Sequence, residues 1–530
     1  MGKKSSNQEL SHTGSQVSES VRRSEASGTS EEALERVTKQ VAKGGGIALF
    51  GRIGGRGILF LFQILLTRVL GAQMYGLYAL GQSVMRITQQ ISMLGLQNGI
   101  VRFGAMYRGE GDKRRLKGTI LFALVISTAT SFAAGLLLFF LANWIAVHVF
   151  DEPGLAAVLR GFALSLPFYT ILTVSAFSAR AFRRMEYDVG IYEVFHPTVT
   201  LIIVGISFLL GFRLMGVVYG FLISSVLSSA LSLFLIYRMF PDLLSNLRPV
   251  YELQKFLPYS LTVFLVGFSY LFLSQTDRVM LGYFGAAQDV GVYKAAAVTA
   301  YQLTVILGAF NAILSPIIAD LHNQHQMGEL EALFKTVGRW TLTLTLPAFL
   351  VIVLFGEKIM GIFGPGFVGG LAPLVVLGAA QAVSATAGSA VVLLTMAGYQ
   401  KVALANGVAL GLLNILLNVW LIPRYGILGA ATATGISIVL INAVRLVEVY
   451  FLLRMHPYKL AYWKAMVAGG VLVVSWWILE RFFSFFFDGR MWIGKMLACG
   501  IVYGATLILL GFEPEDRMIL RAVRTRFLRH

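Results

Sequence analysis

Arg52 and Arg56 stand four residues apart in a run from Gly44 to Thr67 that carries no other charged residue. That spacing puts both guanidinium groups on one face of a helix. Counted from Lys43, they lie about 13 and about 20 Å into the run at ~1.5 Å per residue. A bilayer's hydrocarbon core is about 30 Å thick, so both would sit near its middle. Charges at that depth are costly and face a water-filled cavity or an anionic partner. Guanidinium groups hold phosphate through paired, charge-assisted hydrogen bonds. The chemistry is therefore capture of an anion. In the next apolar run Gln82, Arg86, Gln89 or Gln90, and Gln97 recur at helical spacing as a polar stripe. A third cluster, Ser274-Gln275-Thr276-Asp277-Arg278, closes a later run. Asp277 and Arg278 either pair at the outer interface or serve an outer gate or a coupling ion. Asn414 and Asn418 share a helix face, where bonding between helices is the expected role.

Groups for bond-making chemistry are sparse. The chain has no Gly-x-x-x-x-Gly-Lys-[Ser/Thr] phosphate loop. Cys499 is the one cysteine, which leaves no disulfide framework, cysteine-rich metal site or redox pair. His322 and His325, with Glu329 nearby, are too loosely spaced for a metal site. Neither an enzyme nor a bound cofactor or metal is expected. An integral-membrane glycosyltransferase or polymerase would want catalytic carboxylates on a large extracytoplasmic loop, and only Asp151-Glu152 offers acids there.

The elements that position these residues are apolar helices. The 530 residues are 56% hydrophobic and 13% charged, against about 25% charged in soluble domains, and mean hydropathy is +0.72. Long runs without strand alternation imply an all-α polytopic membrane protein. About fourteen transmembrane helices are expected, near 44–70, 75–103, 118–144, 155–180, 189–211, 214–238, 256–284, 290–318, 334–355, 367–397, 402–422, 427–453, 463–486 and 491–511. No signal peptide is expected ahead of them. Residues 1–42, polar and charged, read as a disordered tail.

The net charge of +17 has a topological origin. Alternate loops hold Arg108, Lys113, Arg114, Arg115 and Lys117, then Arg180, Arg183 and Arg184, then Arg238, Arg248 and Lys255. The opposite set holds little beyond Arg68, Arg213, Lys294, Lys358, Arg424 and Arg490. The positive-inside rule makes both termini cytoplasmic in a multi-pass protein of the cytoplasmic membrane, and nucleic acid is not expected as a partner.

The chain also repeats itself. Leu70-Gly71-Ala72-Gln-Met-Tyr-Gly76-Leu-Tyr78 recurs as Phe284-Gly285-Ala286-Ala-Gln-Asp-Val-Gly291-Val-Tyr293 with one insertion. Arg68, Gly216 and Arg238 find matches at Arg278, Gly429 and Arg454. These matches fall in order, at nearly constant offset. Two parallel pseudo-symmetric six-helix lobes follow, 43–254 (N-lobe) and 255–455 (C-lobe), with the site between them. Residues 456–511 add two extra helices and 512–530 a basic cytoplasmic tail.

The stretches LLTRVLGAQMYGLYALGQSV, TDRVMLGYFGAAQDVGVYKAAA and LIPRYGILGAATATGIS resemble the polysaccharide-exporter branch of the MATE-like MOP flippase superfamily. The resemblance covers roughly residues 44–455. It implies alternating access in a V-shaped cavity, moving a lipid-linked, anionic glycan on polyprenyl diphosphate across the membrane. By position, Arg52, Arg56 and Arg86 match the family's cationic cavity residues. Gln82 and Gln89 suit sugar hydroxyls, and the prenyl tail requires a sideways opening, placed beside the last two spans. With no ATPase domain, a proton or sodium gradient, the membrane potential or downstream consumption of the product is expected to drive the cycle, in a monomer. The alternative is a cation-coupled multidrug or metabolite antiporter of the same superfamily, whose site would favour acidic lining.

Overall fold

The computed structural model describes residues 54–182, 184–482, 491–511 and 513. Arg52, residues 1–42 and the basic C-terminal tail beyond 513 lie outside the described residues. Among the described residues there is no strand. The long helices are α1 (Gly54–Met93), α2 (Lys113–Trp144), α3 (Leu155–Ala181), α4 (Glu186–Leu209), α5 (Leu214–Met239), α6 (Leu253–Phe284), α7 (Ala287–Ala300), α8 (Thr304–Asn323), α9 (Met327–Phe363), α10 (Leu371–Thr386), α11 (Gln400–Leu453), α12 (Tyr462–Phe482) and α13 (Trp492–Leu509).

Eleven described stretches are long and apolar enough to cross a bilayer. Two are too long for one crossing: α1 has 40 residues and α11 has 54, about 80 Å if α11 were straight. Each breaks at a glycine with positive φ, Gly71 at 73° and Gly426 at 54°, a conformation costly for residues with a Cβ. The chain doubles back there. The Tyr75 hydroxyl donates to Gln63 Oε1 at 2.5 Å across twelve residues. Asn414 Nδ2 donates to Thr434 Oγ1 at 3.2 Å across twenty. In a straight helix twenty residues span about 30 Å. The breaks fall where the sequence ended spans at 70 and 422.

Helices α2 and α4 pack on neighbours α3 and α5, and α3 packs on α5. The buried serines of α5 make this close packing possible. Ser224, Ser225, Ser229 and Ser232 each donate to a carbonyl three or four residues back, and Ser224 and Ser225 also meet Thr200 and His196 of α4. In the second half α11 packs on α6 and α10, and α10 packs on α7 and α9. Helices α12 and α13 pack on the outer side of α9, where the Tyr503 hydroxyl donates to Thr343 O at 2.8 Å.

The loops read as one basic set meet on one face. Lys113 pairs with Asp242 at 2.8 Å and Arg115 with Glu252 at 3.0 Å. The Tyr107 hydroxyl donates to Glu252 at 2.9 Å, and that bond holds the Glu252 carboxyl below its ordinary range. On the opposite face the two halves of the chain touch. Arg68 Nε and Nη2 donate to Ile362 O (2.5 Å) and Gly361 O (3.0 Å), the last carbonyls of α9. Glu152 Oε1 accepts from Ala287 N, the first amide of α7, at 3.0 Å. Between these contacts Gly76 and Gly291 lie against each other. A Cβ on Gly76 would stand 1.6 Å from Ala287 O, and one on Gly291 would stand 2.2 Å from Ala72 O.

Candidate functional site

Arg56 precedes Gly71 by fifteen residues and Arg86 follows it by fifteen. On the two arms of a doubled-back helix, both lie about 22 Å from the turn. Both line one cavity of about 410 Å³. From the outgoing arm Tyr78, Gln82 and Arg86, four residues apart, present one face. Tyr169 of α3, Tyr192, Glu193 and His196 of α4, and Phe221 of α5 form an aromatic wall. The Tyr169 and Tyr192 hydroxyls are 3.1 Å apart, and the Tyr169 ring packs 5.3 Å from His196 and 5.2 Å from Phe221. Such rings give an apolar face with a polar tip. The second half closes the cavity with Arg278 of α6, Lys294 of α7 and Tyr301.

Lys294 was expected among the outer loop charges. It is instead buried on α7, 3% exposed, because the outer break comes at Gly285 and the next helix starts at once. Its ammonium donates to Gln82 Oε1 at 2.9 Å and lies 4.5 and 5.0 Å from the Tyr78 and Tyr75 ring centroids. The Gln82 amide in turn donates to the Tyr78 hydroxyl at 3.1 Å. The signal was a lysine set one residue beyond a repeated Gly-x-Tyr, inside an alanine-rich run. The aromatic wall gave no comparable signal, since tyrosines in apolar helices usually serve packing.

Other expected residues sort differently. Gln89 faces the interior of the first half: its amide donates to Thr173 Oγ1 at 3.1 Å, and it is not among the cavity's lining residues. Three residues beyond Arg86, it is offset from it by about 60° around the helix, which is enough to bring it against α3. Asp277 and Arg278 do not pair at the outer interface. Adjacent residues on a helix point about 100° apart, so Arg278 enters the cavity and donates to Gln275 Oε1 at 2.9 Å. Asp277 turns toward α7 and α11. Its carboxylate accepts from Tyr293 (2.7 Å), Thr434 (2.6 Å) and Asn418 (3.0 Å). Asn418 also donates to Asn414 Oδ1 at 2.9 Å, while its own Oδ1 is buried without a hydrogen-bond partner. The carboxylate and the orphaned carbonyl oxygen belong to two side chains joined by a hydrogen bond inside the second half. No residue of α12 or α13 lines the cavity, so its wall is not beside the last two helices, where the sideways opening was expected.

Residues 41–322 match the family described as polysaccharide biosynthesis protein. Over 404 residues the chain is 26% identical to a probable low-salt glycan biosynthesis flippase, Agl15, of Haloferax volcanii, covering 74% of this chain and 80% of that one. Among solved structures it resembles the lipid II flippase MurJ in an inward closed conformation, with TM-score 0.67 and 15% identity, over 88% of this chain and 98% of that one. It also resembles a multidrug resistance MATE family transporter of the MOP superfamily, with TM-score 0.61 and 15% identity, over 77% of this chain and 98% of that one. These structural likenesses establish a shared fold.

Proposed function

We propose, from the premise that this chain belongs to the polysaccharide biosynthesis protein family, that it is a flippase for lipid-linked oligosaccharide. It carries the glycan on polyprenyl diphosphate across the cytoplasmic membrane by alternating access, and it transports without making or breaking covalent bonds. The N-lobe (43–254) and C-lobe (255–455) move against each other around the cavity, with both termini cytoplasmic, and the monomer is the working unit.

One observation carries this reading: four cationic side chains, Arg56, Arg86, Arg278 and Lys294, and four tyrosines line one membrane-embedded cavity. The paired depth of Arg56 and Arg86 suits the two phosphates of a diphosphate. Tyrosine rings and the Gln82 amide suit sugar rings and hydroxyls. An organic-cation substrate would meet repulsion from the same four groups, which speaks against the multidrug antiporter. A charge-assisted phosphate contact contributes about 1.5–3 kcal/mol, so each lost arginine weakens binding about tenfold to a hundredfold. Glycan export per unit of membrane-inserted protein is the measurement. Arg56→Ala/Arg86→Ala reduces it to background, and normal export from a stably inserted double variant sinks the reading.

Asp277, with Asn418 and Thr434, is the seat of a coupling proton or sodium ion. The buried carboxylate and the orphaned Asn418 Oδ1 support it, because oxygen ligands suit a hard cation. Asp277→Asn then abolishes the dependence of export on the ion gradient. Unchanged gradient dependence leaves the cluster a structural tie between α6 and α11.

A further inference from the structure

Lys294 settles which way its neighbouring amide points. An ammonium has three N–H donors and no acceptor, whereas the oxygen and nitrogen of a glutamine can exchange places. The Lys294 ammonium meets Gln82 at 2.9 Å, so the Gln82 atom facing it must be the carbonyl oxygen. The Gln82 nitrogen then faces the other way and donates to the Tyr78 hydroxyl at 3.1 Å. A hydroxyl that accepts from this amide has its own proton turned elsewhere. Among the described residues no acceptor takes the Tyr78 proton, and Tyr78 lines the cavity.

Only that hydroxyl is left to meet an occupant. The Tyr78 residue is 1% exposed, and its ring is covered by Tyr75 at 6.3 Å, Phe162 at 5.8 Å and the Lys294 ammonium at 4.5 Å from its centroid. A sugar finds no open face on it. Gln63, on the other arm of α1, is set in the same sense. Its Oε1 accepts from the Tyr75 hydroxyl, which leaves its amide N–H groups for the cavity it lines. Arg86 acts electrostatically on Tyr78, Lys294 and Arg278, so a phosphate drawn to Arg86 comes within reach of this donor edge. Ionised phosphate oxygens only accept, and a charged acceptor makes the bond roughly twice as strong.

The relay also crosses between the halves of the chain. Lys294 belongs to α7, and Gln82 and Tyr78 belong to α1. The Tyr78 proton is aimed into the cavity only while the two halves meet at this level. A Gln82 amide released from Lys294 can rotate and accept that proton itself. Affinity for phosphate then follows the arrangement of the halves, and such a difference between states is what uptake and release require.

We propose that Lys294 is a positioning residue: acting through Gln82, it turns the Tyr78 hydroxyl into a donor for a phosphate of the lipid carrier. This rests on the flippase reading and adds Tyr78 to the phosphate-binding residues of the same site.

The test is a set of binding ratios on the full-length protein in lipid nanodiscs, with a sugar-free short polyprenyl diphosphate as the ligand. Tyr78→Phe removes the hydroxyl and keeps the ring. In the wild-type background it weakens binding about tenfold, as loss of a hydrogen bond to a charged group does. In Lys294→Met, where Gln82 is free to turn its oxygen to Tyr78, the same exchange changes affinity by less than about twofold. Lys294→Arg, again a donor without an acceptor, restores the larger ratio. Gln82→Glu gives a second route, since a carboxylate keeps one oxygen for Lys294 and offers the other to the Tyr78 proton. There too the ratio falls close to one, and this variant decides alone if Lys294→Met does not insert. Lost charge or packing weakens both members of a pair alike and leaves the ratio unchanged, so only the relay moves it. A silent Tyr78→Phe in the wild-type background, or an undiminished ratio in Lys294→Met or Gln82→Glu, overturns the proposal. A wild type that does not bind the carrier at all strikes the flippase reading itself, and this assignment with it.

Discussion

Gly76 and Gly291 show how much a single hydrogen in place of a methyl group can decide. The two glycines occupy matching positions in the repeated motif, and each one's missing Cβ is the space its counterpart's neighbour fills. The repeat made both glycines visible in the sequence, whereas the fact that they touch is a property of packing that no single copy encodes. Lys294 escaped the sequence for a related reason. Its burial depends on Tyr75 and Tyr78 of the other half, and loop charge and cavity charge look alike in a linear string. Gly76→Val cannot fit without separating the helices, since ordinary contacts lie beyond about 3.4 Å and the first branch point already stands 1.6 Å from a carbonyl oxygen. In a Cys499→Ser background, Tyr75→Cys is expected to resist a membrane-impermeant thiol reagent, and adding Gly76→Val should make it react at least several-fold faster. An unchanged rate would mean that the contact does not hold this face closed.

Among the elements, helix ends do the joining. Arg68 supplies donors to the last carbonyls of α9 and Glu152 supplies an acceptor to the first amide of α7. In each case the side chain's charge complements the partial charge of the helix end it meets. Such contacts contribute roughly 0.3–1 kcal/mol each, rising to about 2 when partly buried. The pair Arg68→Gln/Glu152→Gln should therefore raise the reactivity of the same Tyr75→Cys probe about five- to thirtyfold, the ratio that ~1–2 kcal/mol commands. Each single variant should give a smaller rise, and a double variant indistinguishable from its parent rules the contacts out as a clasp. Span positions were legible because apolar length is the dominant signal in a bilayer protein. The positive φ at Gly71 and Gly426 was not, because glycine in an apolar run is as often a packing residue as a turn. The clasp was hidden further, since Arg68 and Glu152 look in sequence like ordinary loop charges.

At the scale of the whole molecule, the basic loops gather on one face, as their composition required. Lys113, Arg115, Lys117 and Arg180 are tied to Asp242, Glu252, Ser245 O and Asp188 there. If that face is cytoplasmic, cysteines at Lys113 or Arg184 in a Cys499→Ser background stay unlabelled from outside intact cells and react once the membrane is permeabilised. Strong labelling from outside reverses the topology. The cavity itself was legible only as a set of intramembrane arginines; its volume, its aromatic wall and the place of Lys294 in it arise where helices from both halves meet.

The turn at Gly71 has one more consequence. It makes the count of residues, as much as their kind, a determinant of the cavity, since Arg56 and Arg86 share a level only because both arms are fifteen residues long. One residue inserted between Gly71 and Arg86 would shift that guanidinium by about 1.5 Å and swing it by about 100° around the helix. A matching insertion in the other arm would restore the level and leave both side chains facing the wrong way. This hairpin should tolerate many exchanges of one apolar residue for another and almost no change of length.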